Sequence, residues 1–188
     1  MNEELNFIYE EAQEHMEKSI AHLEHELKGI RAGKASPQML SGVTVDYYGT
    51  PTPLSQVANV GIRDARTIAI QPWEKNMLSV IEREIINANL GFNPMNNGEQ
   101  IIINIPVLTE ERRKELVKHA KEEAELARVA IRNVRKDANN DIKKMEKDGD
   151  ISEDMEKMAH DKIQKMTDDY IKKVEERLEK KEQDILTV

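Results

Sequence analysis

The chain has 188 residues, 34% charged and 38% hydrophobic, with a formal net charge of -8, so one thick globular core is excluded and long helices with wide solvated faces are expected. The acidity disfavours indiscriminate nucleic-acid binding but leaves room for a shaped cationic site, because screening limits distant charges to about 8–10 Å. With no cysteine the chain has no disulfide, thiolate metal site or cysteine nucleophile, and it lacks both a signal-peptide start and the ~20-residue apolar run of a membrane span, so a soluble cytoplasmic protein is expected.

The first element is a helix whose apolar positions are Leu5, Ile8, Ala12, Met16, Ile20, Leu23, Leu27 and Ile30. Asn2 is its expected N-cap, with Glu3 and Glu4 at the positive end of the helix dipole. Next comes Gly29-Ile30-Arg31-Ala32-Gly33-Lys34-Ala35-Ser36-Pro37. It superficially resembles a phosphate loop, but its glycines are too close, Ala35 stands where a magnesium-binding hydroxyl belongs, and it follows a helix. A helix exit is the better reading, with glycine supplying positive φ and Pro37 blocking continuation. Arg31 and Lys34 remain there as cations for a helix dipole or for phosphate.

From Val43 the pattern changes to period two, with Val43, Val45 and Tyr47 on one face. Gly49-Thr50-Pro51 reads as a turn, and Pro51 and Pro53 bar a central strand there. Thr67–Ile70 is a short strand, Trp73 to Ala88 has helical spacing, and Ile101–Ile105 is a well-marked strand. Asn93-Pro94 and Asn96-Asn97-Gly98 punctuate as turns, and Trp73, Tyr47, Tyr48 and Phe92 are expected to fill the small core. A second long helix starts after Pro106 with Thr109 as N-cap and runs to about Lys147. Asp148-Gly149-Asp150 then turns into a third helix, with Met155, Met158, Ile163, Met166, Tyr170, Val174 and Leu178 facing inward.

The expected fold is therefore α+β. A slim three-helix bundle, discontinuous in sequence (1–30 plus 107–188), carries an inserted β/α/β domain (31–106). Two crossings join them, and Gly33, Pro37, Ile105 and Pro106 are the candidate hinge residues.

The second long helix has apolar positions from Leu116 through Ala124, Ile131 and Val134 to Met145. Beside this stripe, Arg128, Arg132 and Arg135 form one cationic row, since residues three and four apart lie above one another. Arg112, Arg113, Lys118, Lys121 and Lys136 share that helix. Guanidinium groups grip phosphate with two bonds, so an acidic protein that gathers them locally is a candidate for binding a polyanion. Against this stands a solvated face of ion pairs with acids such as Glu125. No catalytic set, cofactor loop or metal site emerges. His15, His22 and Glu26 lack zinc-helix spacing, and a calcium loop around Gly149 would place Lys144 at its first ligand position.

Several segments together resemble the bacterial ribosome-recycling factor family over nearly the whole chain. They are Gly29–Pro37, Val45–Leu54 (VDYYGTPTPL), Leu90–Pro94, Pro106–Lys114 and Ala130–Asp137. The resemblance implies an L-shaped molecule with a flexible elbow, monomeric and cytoplasmic, without catalytic activity or cofactor. Its implied partners are the ribosomal RNA of the large subunit and elongation factor G, which with GTP separates the subunits after termination. It further implies RNA contact through Arg132, helped by Arg31 and Arg128. Lys34 and Lys136 stand where many members carry arginine, which keeps the charge and loses the fork. The competing class is a helical adaptor or holdase for another protein, suggested by acidic helices bearing adaptable methionines.

Overall fold

The computed structural model describes residues 2–30 and 33–187. In chain order it contains α1 (Glu3–Gly29), β1 (Thr44–Tyr47), β2 (Thr50–Pro53), β3 (Ala58–Asp64) and β4 (Thr67–Pro72). These are followed by α2 (Leu78–Asn87), β5 (Pro94–Asn96), β6 (Ile101–Asn104), α3 (Glu110–Lys147) and α4 (Glu153–Leu186). The chain divides into two compact units, Met1–Ala32 with Glu110–Val188, and Gly33–Thr109.

The first unit is a bundle of α1, α3 and α4. At 1.5 Å per residue the 38 residues of α3 span about 57 Å. Asn2 caps α1 by accepting from the backbone N–H of Glu4 and Leu5, at 3.0 and 3.2 Å. Ser152 caps α4 by accepting from the N–H of Met155 at 3.2 Å. Gly149, with φ +82°, makes the turn between α3 and α4.

The bundle interior alternates small and branched residues: Ala120, Ala124, Ile131 and Ile142 of α3 meet Ala159, Ile163 and Val174 of α4, all fully buried. Alanines let the helices approach closely, and each buried isoleucine contributes about 1.5–3 kcal/mol. Val134 is only partly buried at the edge of this core. Met155 and Met158, expected inside, are instead 37% and 71% exposed. Ala159 takes the core position one residue on, because Ile163, Thr167 and Tyr170 set the phase of the buried face.

The second unit has more strands than its sequence pattern suggests. β3 and β4 pair antiparallel, and the four-stranded sheet runs β3-β4-β6-β5. β3 carries few buried side chains, so it lacks an apolar alternation, and β5 is a three-residue edge inside a turn-rich stretch. β1 and β2 form a separate two-stranded ribbon, whose outer strand accommodates Pro51 and Pro53. The hairpin turn is Tyr48-Gly49, not Gly49-Thr50-Pro51, since Tyr47 pairs with Thr50. α2 starts at Leu78, not near Trp73, and lays Ile81 and Ile85 on the sheet against Ile68, Ile70, Ile101 and Ile103.

Isoleucines and valines rather than aromatics build this core. Trp73 is 63% and Tyr48 72% exposed, contrary to their expected burial, whereas Tyr47 and Phe92 pack at its margin.

Candidate nucleic-acid interface

The regular rise of α3 places Arg128, Arg132 and Arg135 along its border with α4, yet their surroundings differ. Arg128 has only 17% of its side chain exposed. Its Nε donates to Glu175 of α4 at 2.6 Å and its Nη1 to Glu125 at 2.9 Å. The bond to Glu175, supported by Glu125, holds the guanidinium above its usual pKa against the opposing cost of burial. Arg128 thus ties two helices together.

Arg132 is half-exposed and touches Glu125 through a single bond of 3.4 Å. Arg135 donates to the neutral amide oxygen of Gln164 at 3.3 Å. Arg132 therefore remains open to an outside ligand, Arg135 is partly buried but engaged by a neutral amide, and Arg128 is largely engaged in carboxylate bridges. Exposed pairs such as Arg132–Glu125 contribute about 0–1 kcal/mol, so a phosphate can displace the carboxylate at low cost.

The other candidate cations are spread out. Lys136 is exposed one residue beyond Arg135. Arg112 is exposed near the start of α3 and donates to Glu115 at 2.8 Å, far along the rod from Arg132. Lys34 belongs to the other unit and is exposed. Arg31 lies outside the described residues.

Of the candidate hinge positions, Gly33 adopts φ +74°, and a Cβ there would meet Leu108 Cγ at 2.9 Å. Gly29, by contrast, is not a positive-φ residue, so the left-handed step falls four residues after it. Pro37 opens a short 3-10 turn over Pro37–Leu40 capped by Ser36. Ile105 is buried, and its N–H donates to Arg66 O at 2.7 Å, just as Ala35 N–H donates to Ala65 O at 2.8 Å. Pro37 and Ile105 are thus anchored in the small unit.

The sequence reading missed a second set of cations. Lys162, Lys165, Lys172 and Lys173 line a cleft along α4 together with Gln13 and Tyr170, and with Asp169 and Glu176 among them. The Lys162 Nζ stands 4.1 Å over the Tyr9 ring and that of Lys173 4.4 Å over Tyr170. Their spacing on α4, with Tyr170 three residues before Lys173, was readable, but nothing in the sequence says that α1 supplies the Tyr9 ring beside Lys162. Burial, and then a bond of 3.0 Å to Glu17, push the Tyr170 phenol up to about 12.

Among the described residues no group of three or more His, Asp or Glu side chains could hold a metal ion. No helix among them is long and apolar enough to cross a membrane.

The family model for ribosome recycling factor matches residues 23–186. The chain is 61% identical to the ribosome-recycling factor of Flavobacterium psychrophilum over the full length of both chains, and 55% identical to that of a Sulfurovum species over 98% of this chain and all of that one. A solution structure of the ribosome recycling factor superposes with a TM-score of 0.74 at 37% identity, covering both chains completely. Models for the T. thermophilus ribosome recycling factor and the E. coli elongation factor G bound to the E. coli post-termination complex include a chain with a TM-score of 0.61 at 48% identity. That match covers 97% of this chain and 98% of the other. These matches define a non-catalytic factor of protein synthesis. The chain belongs to the ribosome recycling factor family.

Two solution measurements check the site's internal geometry. A double-mutant cycle between Arg128→Ala and Glu175→Ala should give a coupling of about 0.5–1 kcal/mol in urea unfolding, while Arg132→Ala alone changes stability by less than about 0.5 kcal/mol. Equal stability losses at Arg128 and Arg132 would contradict the distinction. The raised Tyr170 pKa means that the neutral phenol stabilises the fold fully below the unfolded value near 10 and loses that contribution as pH rises towards 12. Wild-type urea midpoints should therefore fall relative to those of Tyr170→Phe across that alkaline window, and parallel pH profiles would rule this out.

Proposed function

We propose that this chain binds the large subunit of the post-termination ribosome through ribosomal RNA and, with elongation factor G and GTP, drives separation of the subunits for another round of translation. It works as a monomer in the cytoplasm and makes no covalent change itself. The observation that carries the reading is family membership along 23–186, joined to the guanidinium groups of Arg132 and Arg135, which no strong carboxylate bridge engages, on a chain of net charge -8.

In this reading Arg132 and Arg135 bind phosphate directly, and Lys136 adds charge beside them. Arg128 secures α3 to α4, so that the face stays aligned under load, and it reaches RNA only by exchanging Glu125. Arg31, Arg112 and Lys34 add outlying electrostatic attraction. Three packed helices resist bending, so a push from the GTPase is transmitted along the bundle. Gly33 and Pro106 lie in the flexible connections between the two units, with Pro37 and Ile105 as their fixed inner ends.

Arg132→Ala should weaken co-sedimentation with purified large subunits by about 1–3 kcal/mol, with no fall in thermal stability. Unchanged binding would remove Arg132 from the contact, and binding insensitive to salt would favour a protein adaptor over an RNA-binding factor.

The absence of cysteine permits clean labelling at Lys18→Cys on α1 and Glu99→Cys in the small unit. Single-molecule energy transfer between those labels should show a broad or multiple distribution in the free protein. One narrow distribution would contradict the joint.

A further inference from the structure

The small unit carries a cleft of about 370 Å³ lined by Tyr47, Thr52, Gln56, Val57, Trp73, Glu74 and Met77. Three features distinguish it from ordinary surface. Its aromatic wall is exposed, since Trp73 is 63% accessible and does not serve the core. Its carboxylate is fixed: Tyr47 donates to Glu74 Oε1 at 3.0 Å and Tyr48 donates to Oε2 at 2.8 Å. The backbone behind it is strained, because Tyr48 has φ +50° in a two-residue turn with Gly49 at +86°. Such a turn is best made by Asn-Gly, and a bulky side chain is disfavoured at its first position. Here the tyrosine is retained and pinned, edge to face with Tyr47 at 4.7 Å between ring centres.

A tyrosine phenol is protonated at neutral pH and so donates, and hydrogen bonding to Glu74 raises the Tyr47 pKa further. Each Glu74 oxygen then keeps room for another bond, since a carboxylate offers about four acceptor positions. Among the described residues Glu74 makes no ion pair, and the neighbouring Lys75 does not line the cleft. An aromatic wall beside a fixed, unpaired carboxylate is complementary to a planar cation, which gains from both the ring face and the oxygens.

We propose that this cleft is a docking site for a cationic side chain, arginine in preference to lysine, presented by a protein partner. The guanidinium enters over Trp73 and Tyr47 and bonds Glu74, with its methylene stem against Val57 and Met77. This contact lies wholly within the small unit and is separate from the phosphate-binding face of the bundle.

Trp73 is the sole tryptophan, so its fluorescence reports the cleft directly. The probe is a capped pentapeptide of alternating glycine and arginine, and the control is the same peptide with citrulline, the neutral isostere, in place of arginine. Titrated into the full chain, the arginine peptide should change Trp73 emission saturably. Glu74→Gln, which keeps the side-chain shape, should weaken that binding by about tenfold, the scale of one charge-assisted contact, and citrulline should do the same in the wild type. Thermal unfolding of Glu74→Gln at the wild-type temperature confirms that the cleft is intact. If that variant unfolds earlier, the citrulline comparison in the wild type decides alone. Equal binding of the arginine and citrulline peptides overturns the proposal, as does unchanged affinity in a stably folded Glu74→Gln. None of these outcomes depends on ribosome binding.

Discussion

Everything in the bundle depends on three long helices closing over one narrow seam of alanine and isoleucine. Packing of their apolar stripes, more than intrinsic helix propensity, supplies most of their stability. The stripe on α3 is too thin to bury much area unless α1 and α4 both cover it. α1 comes from the start of the chain and α3 from beyond residue 109, so the bundle forms only when segments on either side of the small unit meet. Small side chains at Ala120, Ala124 and Ala159 permit that approach, and the branched side chains between them fill the remaining space.

The same packing decides what each arginine is available to do. Once the phase of α3 is set by Ile131 and Ile142, Arg128 points across the border with α4 and meets Glu175. Arg132, four residues on, turns far enough outward to be half-exposed. Arg135 returns towards α4 but finds the neutral Gln164. A row that looks uniform on a helical wheel is thus divided by the acids of the neighbouring helix. One member reinforces the rod, and two are left for a ligand in the proposed function. The net charge of -8 disfavours indiscriminate attraction of a polyanion, so binding there has to come from local clusters of cations.

Much of this was legible in the order of residues. The bundle stripes, the cap at Asn2, the turn at Gly149 and the β6 strand follow from periodicity and local hydrogen bonding, which act over a few residues. What could not be read depends on partners distant in the chain. The pairing of Arg128 with Glu175 spans 47 residues, and that of Tyr170 with Glu17 spans 153. β3 was invisible because its residues carry little buried apolar surface, and its register is imposed by β4. Trp73 and Tyr48 were misplaced because large aromatics usually supply buried area in a small domain, and here isoleucines from β4, β6 and α2 already fill it.

The most direct test of the central claim is the salt dependence of binding to purified large ribosomal subunits. Log affinity plotted against log salt should have a steep negative slope for the wild type. In the Arg132→Ala/Arg135→Ala double variant it should flatten by about two, one for each lost phosphate contact. A double variant with the wild-type slope would contradict a phosphate-binding role for this face.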